Sequence, residues 1–356
     1  MTEFTIVLPP ELHQLYLNRM IYDWKIGRVQ VVFNNINMKI PDFRKKFLCF
    51  LNMLDITLQR KLARICDFNF NDTALLQCCH NNYLPLIQWC IYHGVDVNQC
   101  NCFGVSPLFV SGQEGHTELV KLLMEKKADI NKCDQNGVSP LLMACQRNHK
   151  DVVKLLLDNK ADINKCKDGG IFPLLMACQI NHIDIVKLLI DNKADINNCA
   201  DNELSPLLVA CERNNKEIVN LLLKNKAEIN KCTHDGLSSL YIACRNNYIE
   251  IVEFLLDSKA DINKCTNDGV TPLFIACQKN NIDIVAVLLD NRADIDKCTE
   301  DGTSSLYVAC QENNIEIVKA LLDQQADIKK CRNDGASPLF IACLMNHIEV
   351  LKVLLD

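Results

Sequence analysis

The chain has 356 residues, of which 23% are charged and 49% are apolar when its 21 cysteines are counted. This balance excludes a disordered, collagen-like or low-complexity chain, and the length exceeds the roughly 100–200 residues of one compact domain. The net charge of −6 argues against a nucleic-acid partner, because neutralising phosphates requires clustered Lys and Arg. No apolar run approaches the ~18 residues of a membrane span, and residues 1–10 lack the character of a signal peptide. We therefore expect an intracellular, cytoplasmic protein without membrane insertion.

Residues 1–67 differ from the rest of the chain in charge and pattern. They carry a net charge of +4, whereas residues 68–356 carry −10. Apolar side chains recur at helical spacing over residues 42–54 and 56–66, so two amphipathic helices are predicted there. We expect this helical N-terminal segment to cap the periodic array that follows it. The alternative is an independent module with a partner of its own.

From residue 68 onward the sequence repeats with a period of 33. One cysteine column comprises Cys100, Cys133, Cys166, Cys199, Cys232, Cys265, Cys298 and Cys331. A second comprises Cys79, Cys145, Cys178, Cys211, Cys244, Cys277, Cys310 and Cys343. A fixed period of this length is typical of stacked repeats. The predicted array consists of a degenerate first repeat over residues 68–100, seven full repeats over 101–331 and a truncated last repeat over 332–356.

The block at residues 134–166 indicates what each repeat builds. Ser139 stands before a proline, and a hydroxyl followed by proline favours the start of a helix. That helix should end near Asn148, since Asn tolerates the left-handed conformation that ends helices. A second helix is predicted from Lys150 to about Lys160, before a turn-rich connector that projects as a hairpin. Each repeat is therefore predicted to be a helix, a turn, a second helix and a hairpin.

These blocks resemble a known family. Residues 269–276 read Gly-Val-Thr-Pro-Leu-Phe-Ile-Ala, which is similar to the Gly-x-Thr-Pro-Leu-His-x-Ala signature of ankyrin repeats. Residues 259–263 read Lys-Ala-Asp-Ile-Asn, which resembles the family's hairpin sequence Gly-Ala-Asp-Val-Asn. The resemblance implies an all-α solenoid of stacked helix-turn-helix ankyrin repeats with projecting β-hairpin loops, preceded by the short helical N-terminal segment.

One departure from the family pattern recurs at the end of the second helix. The family's glycine is replaced there by Lys127, Lys160, Lys193, Lys226 and Lys259. A lysine in left-handed geometry costs roughly 1–2 kcal/mol. Either the preceding residue adopts that geometry or each repeat tolerates the strain.

Further departures are concentrated in residues 167–205. Lys167 replaces an acidic residue, Phe172 removes the hydroxyl before a proline, and Glu203 replaces the glycine of its column. The loss of one cap costs ~1 kcal/mol. We predict that this segment is the least stable part of the array and is less protected in hydrogen exchange than the repeat around Thr271.

The cysteines occupy positions that favour packing. The column of Cys145 follows a buried alanine of the first helix, so its thiols should be buried. The column of Cys133 lies in the hairpins and should be more exposed. Stacked helices lie ~8–10 Å apart, beyond the ~7 Å limit between Cα atoms for a disulfide, and zinc needs four converging ligands. We expect no metal, disulfide or cofactor, while redox sensitivity of the exposed column is an open alternative.

Signals for catalysis are missing from the sequence. It contains no nucleotide-binding loop and no zinc-protease motif. Residues that follow the inter-helix turn, and should hydrogen-bond locally or to a neighbouring repeat, are His116, His149, His182 and His347. We expect no enzyme and no small-molecule substrate. The hairpin residues Asn131, Asn164, Asn197, Asn230 and Asn263 resemble asparagines that are hydroxylated in ankyrin repeats, although they could simply close the hairpin.

Stacked hairpins and first helices should form a long concave face, the surface through which repeat solenoids bind. The partner-binding residues expected on it, at hairpin tips and first-helix ends, are Gln146, Arg147, Gln179, Glu212, Arg213, Arg245, Asp268, Gln278, Lys279, Asp301, Gln311 and Glu312. Acidic tips and amide-rich helix ends with scattered Arg favour a protein partner of basic or hydrogen-bonding character.

The function predicted from this surface is a non-catalytic scaffold for one or more partner proteins. One alternative is an adaptor, for example the substrate-recognition subunit of a ubiquitin ligase, with residues 1–67 or a C-terminal extension as its second contact. Another is the ankyrin part of a larger signalling protein.

Overall fold

The structure is a computed structural model that describes residues 41–64 and 73–356. Within these ranges the chain is all-α, and its β pairing consists of isolated bridges, such as the antiparallel one between Cys232 and Ser238. The connectors between repeats are therefore turns rather than extended strands. The chain divides into two compact units, with the boundary between Asp168 and Gly169. This boundary lies inside the segment that is predicted to be the least stable.

In the described part of the first unit, residues 41–64 and 73–168, two helices precede three helix pairs. The helices are α1 (Pro41–Met53), α2 (Ile56–Ala63), α3 (Ala74–His80), α4 (Leu84–Tyr92), α5 (Pro107–Glu114), α6 (Thr117–Glu125), α7 (Pro140–Gln146) and α8 (Lys150–Asp158). The first helices α3, α5 and α7 pack side by side in chain order, and α6 packs against α8. Each pair is one repeat of the predicted type.

The second unit contains six further helix pairs. The helices are α9 (Pro173–Gln179), α10 (Ile183–Asp191), α11 (Pro206–Glu212), α12 (Lys216–Lys224), α13 (Ser239–Arg245), α14 (Ile249–Asp257), α15 (Pro272–Gln278), α16 (Ile282–Asp290), α17 (Ser305–Gln311), α18 (Ile315–Asp323), α19 (Pro338–Leu344) and α20 (Ile348–Leu355). Odd-numbered and even-numbered helices form two adjacent rows, because each helix packs on its counterpart in the next repeat.

Hydroxyl side chains start the first helix of nearly every repeat. Ser139 Oγ accepts a hydrogen bond from the backbone N–H of Leu142 at 3.1 Å, and a proline occupies the first helical turn. The same cap is made by Thr73, Ser106, Ser205, Ser238, Thr271, Ser304 and Ser337. Phe172 makes no such bond and is fully buried. The predicted column of caps and its gap at Phe172 are both confirmed.

Left-handed residues end both helices of each repeat. Asn148, after the first helix of its repeat, has a φ of 60°, as the sequence predicts. Lys160, after the second helix, has a φ of 65°, whereas the preceding Asn159 has a φ of −97°. All five lysines of this column have positive φ. The lysines themselves therefore adopt the unfavourable geometry, and the alternative that the preceding residue does so is wrong.

The second helices bury one apolar stripe each. In α8 the buried residues are Val152, Val153 and Leu156, and the charged side chains between them are exposed. In the preceding first helix, Ala144 and Cys145 are fully buried against the adjacent helices. Burying a Val or Leu side chain contributes about 1.5–3 kcal/mol, so the stripes shared between repeats supply most of the stability of each unit.

Helices α1 and α2 lie against the first repeat. Helix α1 buries Phe43 and Phe47, and Asp55 caps α2 by accepting backbone N–H bonds at 2.9 and 3.0 Å. Arg44 donates to the carbonyl oxygen of Asn81 at 3.2 Å, in the turn after α3. The predicted helices are thus present, although residues 1–40 and 65–72 lie outside the described part of the chain. The contact of Arg44 supports a capping role, which stays a prediction.

Backbone hydrogen bonds join the connectors of successive repeats. In the first unit the N–H of Gln135 donates to Phe103 at 2.9 Å, and that of Asp168 donates to Asn136 at 3.0 Å. In the second unit the bonded pairs, donor first, are Asp201 and Gly169, Asn267 and Asp235, Glu300 and Asp268, and Asn333 and Asp301. This approach requires glycine in the turn, since a Cβ at Gly236 would lie 2.8 Å from the backbone nitrogen of Asn267.

The bond between connectors is missing where Glu203 replaces glycine. Glu203 has a φ of 60°, and within residues 169–356 the N–H of His234 makes no hydrogen bond to Asn202. The His234 ring occupies this place instead, with Nε2 3.4 Å from the Asp201 carbonyl oxygen and Nδ1 3.3 Å from the Glu203 carboxylate. We attribute the gap to the Cβ of Glu203, which stands where the other connectors leave room for the next backbone.

Replacing Glu203 with glycine should stabilise the second unit by about 1–2 kcal/mol, because it relieves left-handed strain and makes room for the missing bond. Urea unfolding measures the change, and the amide of His234 should exchange its hydrogen more slowly in Glu203→Gly. The reverse substitution Gly269→Glu is the matched control and should lower stability, since Gly269 has a φ of 83°. If the His234 amide exchanged its hydrogen equally fast in the wild type and in Glu203→Gly, this explanation would be contradicted.

A column of buried and half-buried polar side chains also connects neighbouring repeats. Asn281 Nδ2 donates to the carbonyl oxygen of Cys244, in the preceding repeat, at 2.7 Å. His347 Nδ1 makes the corresponding bond to Cys310 at 2.9 Å, and His149 Nε2 lies 2.8 Å from the carbonyl oxygen of Gln113. The prediction that these histidines bond to a neighbouring repeat is confirmed for His149 and His347.

The connector asparagines bond to the next repeat as well. Asn131 Oδ1 accepts the N–H of Asp162 at 2.9 Å, and Asn230 Oδ1 accepts that of Asp261 at 2.9 Å. Their amides therefore link two connectors instead of only closing one. Hydroxylation of these asparagines stays a prediction.

Candidate functional site

The predicted helix residues of the site stand at the C-terminal ends of the first helices. Gln146 is the last residue of α7, and Arg147 is its C-cap, whose backbone N–H donates to two carbonyl groups of the helix. The equivalent positions in the second unit hold Gln179, Glu212, Arg213, Arg245, Gln278, Lys279, Gln311 and Glu312. These side chains are exposed, except those of Arg245 and Gln311, which are half-buried. A cation here also complements the negative end of the helix dipole, which gives Arg147, Arg213 and Lys279 a structural role.

Two predicted connector residues line one groove in the second unit. The groove is open, has a volume of about 390 Å³, and is lined by Asp268, Val270, Phe274, Thr299, Glu300, Asp301 and Thr303. We call it the Phe274 groove. Phe274 is 7% exposed and Val270 is half-buried, so the groove has an apolar floor between acidic walls.

Asp301 is already engaged by the chain itself. Its Oδ1 accepts hydrogen bonds from the hydroxyls of Thr299 at 2.5 Å and Thr303 at 2.8 Å. Its Oδ2 lies 3.1 Å from Nη2 of Arg332. The bond from Thr299, then that from Thr303, holds the pKa of Asp301 below its usual range. Asp301 is therefore ionised at neutral pH and stabilises its own connector.

In the second unit a first helix and its connectors line the same groove, since Phe274 of α15 lies beside Asp268 and Asp301. Burial raises the pKa of the Tyr241 hydroxyl, the charge of Arg245 lowers it, and that of Asp268 raises it. Arg245 is the last residue of α13, and Asp268 belongs to the connector after α14. Gln146 and Arg147 belong to the first unit, and the other predicted residues belong to the second.

The cysteines have the burial that the sequence predicts, except Cys343, for which the prediction of a buried thiol is wrong. Cys145, Cys178, Cys211, Cys244, Cys277 and Cys310 are buried, whereas Cys343 of the last repeat is exposed. Burial raises the pKa of Cys211 to about 12. In the other column Cys133 Sγ donates to the carbonyl oxygen of Asn131 at 3.3 Å, and partial burial raises the pKa of Cys133. Both effects disfavour the reactive thiolate.

Neither a metal cluster nor a membrane span is found in the described part of the chain. No group of three or more His, Cys, Asp or Glu side chains in residues 41–64 and 73–356 is arranged to hold a metal ion. None of the helices in these ranges has both the length and the apolar character needed to cross a membrane.

A family model described as ankyrin repeats in three copies matches residues 75–167, 159–233, 207–298 and 291–356. The chain belongs to the ankyrin-repeat family. Ankyrin repeats are in general protein–protein interaction modules, and the family is typically non-catalytic. No individual curated protein matches the chain.

The sequence interpretation missed the apolar part of the ankyrin surface. It selected Asp268 and Asp301 as exposed tips, but not Val270, Phe274 or Thr303, which form the groove between them. A signal was present in the sequence, because Phe274 stands where the ankyrin signature has His. The shape of the groove depends on two neighbouring repeats, and a pattern within one repeat does not show it.

Proposed function

We propose that this chain is a non-catalytic scaffold that binds partner proteins through the connectors and first-helix ends of its ankyrin repeats. The observation that carries the proposal is the Phe274 groove, in which Phe274 of helix α15 and residues of two neighbouring connectors line one surface, and this supports a continuous surface of first helices and connectors in the second unit. Repeat proteins bind through such extended surfaces because neighbouring repeats hold many side chains in fixed positions.

Charged side chains without an internal partner support a role in recognition. Within residues 169–356, Arg213 and Lys279 form no ion pair, whereas Lys216 on the other helix row pairs with Glu250 at 2.6 Å. Unpaired charges at fixed positions favour a partner of complementary charge and speed its association. The partner is expected to present acceptor groups to these cations and basic groups to the acidic connectors.

The test is proximity labelling with the full chain and with the triple variant Arg213→Ala, Arg245→Ala and Lys279→Ala. The labelled partners of the wild type should bind the purified triple variant at least tenfold more weakly. A matched control removes three exposed lysines from second helices, by Lys187→Ala, Lys224→Ala and Lys319→Ala, and should retain the affinity. Equal affinity of the wild type and the triple variant for every partner would refute the proposed surface.

A further inference from the structure

The Arg332 side chain, in the last connector of the second unit, lies over an aromatic ring and beside two carboxylates. Its guanidinium carbon lies 5.6 Å from the centre of the Tyr307 ring. The same guanidinium pairs with Asp301 at 3.1 Å and with Asp334 at 3.7 Å. One arginine side chain thus combines a cation–π contact with two carboxylates on adjacent connectors.

One repeat earlier, the equivalent site has no arginine. With the period of 33, Phe274 corresponds to Tyr307, Asp268 to Asp301, and Thr299 to Arg332. Phe274, Asp268 and Thr299 all line the Phe274 groove. Thr299 is too short to cover the aromatic ring, so the groove occupies the place that the Arg332 side chain takes in the next repeat.

Two carboxylates at this groove are available to a ligand. Within residues 169–356, the side chains of Asp268 and Glu300 make no hydrogen bond or ion pair, in contrast to Asp301. The N–H of Glu300 donates to the carbonyl oxygen of Asp268 at 3.0 Å, which places the two residues side by side on neighbouring connectors. Their charges are complementary to one cation above the apolar floor.

We propose that the Phe274 groove binds an arginine side chain of a partner protein. The aliphatic stem lies on Val270 and Phe274, and the guanidinium lies between the carboxylates of Asp268 and Glu300. This inference rests on the proposed function and adds the chemistry of one contact.

Arginine is favoured over lysine because its planar group both stacks on an aromatic ring and bonds two carboxylates, as Arg332 does with Asp301 and Asp334. The counterpart of Asp334 at the groove is Asp301, which is already engaged, so Glu300 provides the second carboxylate there.

The direct test is an NMR titration of the full-length chain with acetyl-arginine amide. Acetyl-citrulline amide, which has nearly the same shape and no charge, is the matched control probe. The arginine probe should give saturable shifts at Val270, Thr299 and Thr303, with an affinity at least tenfold above that of the citrulline probe. Equal affinities of the two probes, or shifts that do not saturate, would overturn the inference.

Two substitutions test the same site by changing the protein instead of the probe. Thr299→Arg supplies the missing side chain from within the chain and should weaken binding of the arginine probe at least tenfold. Arg332→Thr empties the equivalent site at Tyr307 and should add a second set of saturable shifts there. If Thr299→Arg bound the probe as well as the wild type, the groove would not be the arginine site.

Failure of this inference differs from failure of the proposed function. Thr299→Arg leaves Arg213, Arg245 and Lys279 unchanged, so the triple variant can lose a partner that Thr299→Arg retains. That result, combined with equal affinities of the two probes, would remove the arginine contact and leave the scaffold function intact. If Thr299→Arg no longer bound the arginine probe while the triple variant bound every partner, the arginine site in the groove would be supported. The wider binding surface of the proposed function would be refuted.

Discussion

Replacing all five lysines that end the second helices with glycine is expected to raise the free energy of unfolding by about 3–5 kcal/mol. The changes are Lys127→Gly, Lys160→Gly, Lys193→Gly, Lys226→Gly and Lys259→Gly. Each lysine has a φ between 64° and 70°, a conformation that costs a side chain roughly 1–2 kcal/mol and costs glycine almost nothing. Part of the gain is offset by about 0.5–1 kcal/mol per residue, because glycine has more freedom in the unfolded chain. Equilibrium unfolding in urea, followed by circular dichroism, measures the sum.

The same substitution inside a helix provides the control for the lysine column. Lys154 is exposed in the middle of α8, so Lys154→Gly should lower stability by about 1 kcal/mol. Opposite signs at Lys154 and Lys160 would show that backbone geometry, and not loss of charge, is responsible. A five-lysine variant no more stable than the wild type would mean that other contacts of these side chains compensate for the strain.

Replacing Asn281 with alanine is expected to destabilise the second unit by about 2 kcal/mol. The substitution removes the shorter hydrogen bond to the Cys244 carbonyl oxygen and leaves it the 3.4 Å bond from the N–H of Asn247, and an under-satisfied buried group costs about 1–3 kcal/mol. Asn281 precedes α16, but its side chain makes no capping bond, so the loss is assigned to the contact between repeats. Urea unfolding of Asn281→Ala measures the effect.

Histidine should rescue this position. His347 makes the corresponding bond at 2.9 Å in the last repeat, so Asn281→His is expected to retain most of the stability that Asn281→Ala loses. If both variants were equally destabilised, the packing of the asparagine side chain, and not the bond to Cys244, would be the important feature.

Local features of the fold could be predicted because they depend on residues close in sequence. Ser139 reaches an N–H three residues later, and Asn148 needs only its own backbone to take a φ of 60°. The lysine column was ambiguous, since sequence cannot decide whether Asn159 or Lys160 takes the strained turn. The structure decides it, because Lys160 follows the last helical turn and Asn159 still donates to Leu155, within that turn.

Contacts between repeats were harder to predict. The bond from Asn281 to Cys244 spans 37 residues, and that from Asp261 to Asn230 spans 31. Neither separation equals the period of 33, so comparing columns does not show them. The candidate site was equally hard to predict, because it too depends on contacts between repeats. Exposure of Asp268 could be predicted from the sequence, whereas the groove beside it required the positions of Phe274 and Thr299 in two repeats.

The buried column of cysteines allows local unfolding of individual repeats to be measured in the unlabelled chain. A thiol reagent can modify Cys178, Cys211 or Cys277 only when the surrounding repeat opens, since each of these sulfurs is enclosed in its first helix. Counting modified sites by mass spectrometry over time would therefore rank the repeats by opening frequency, without introduced labels. Cys178 and Cys211, on either side of Glu203, would be expected to react before Cys277.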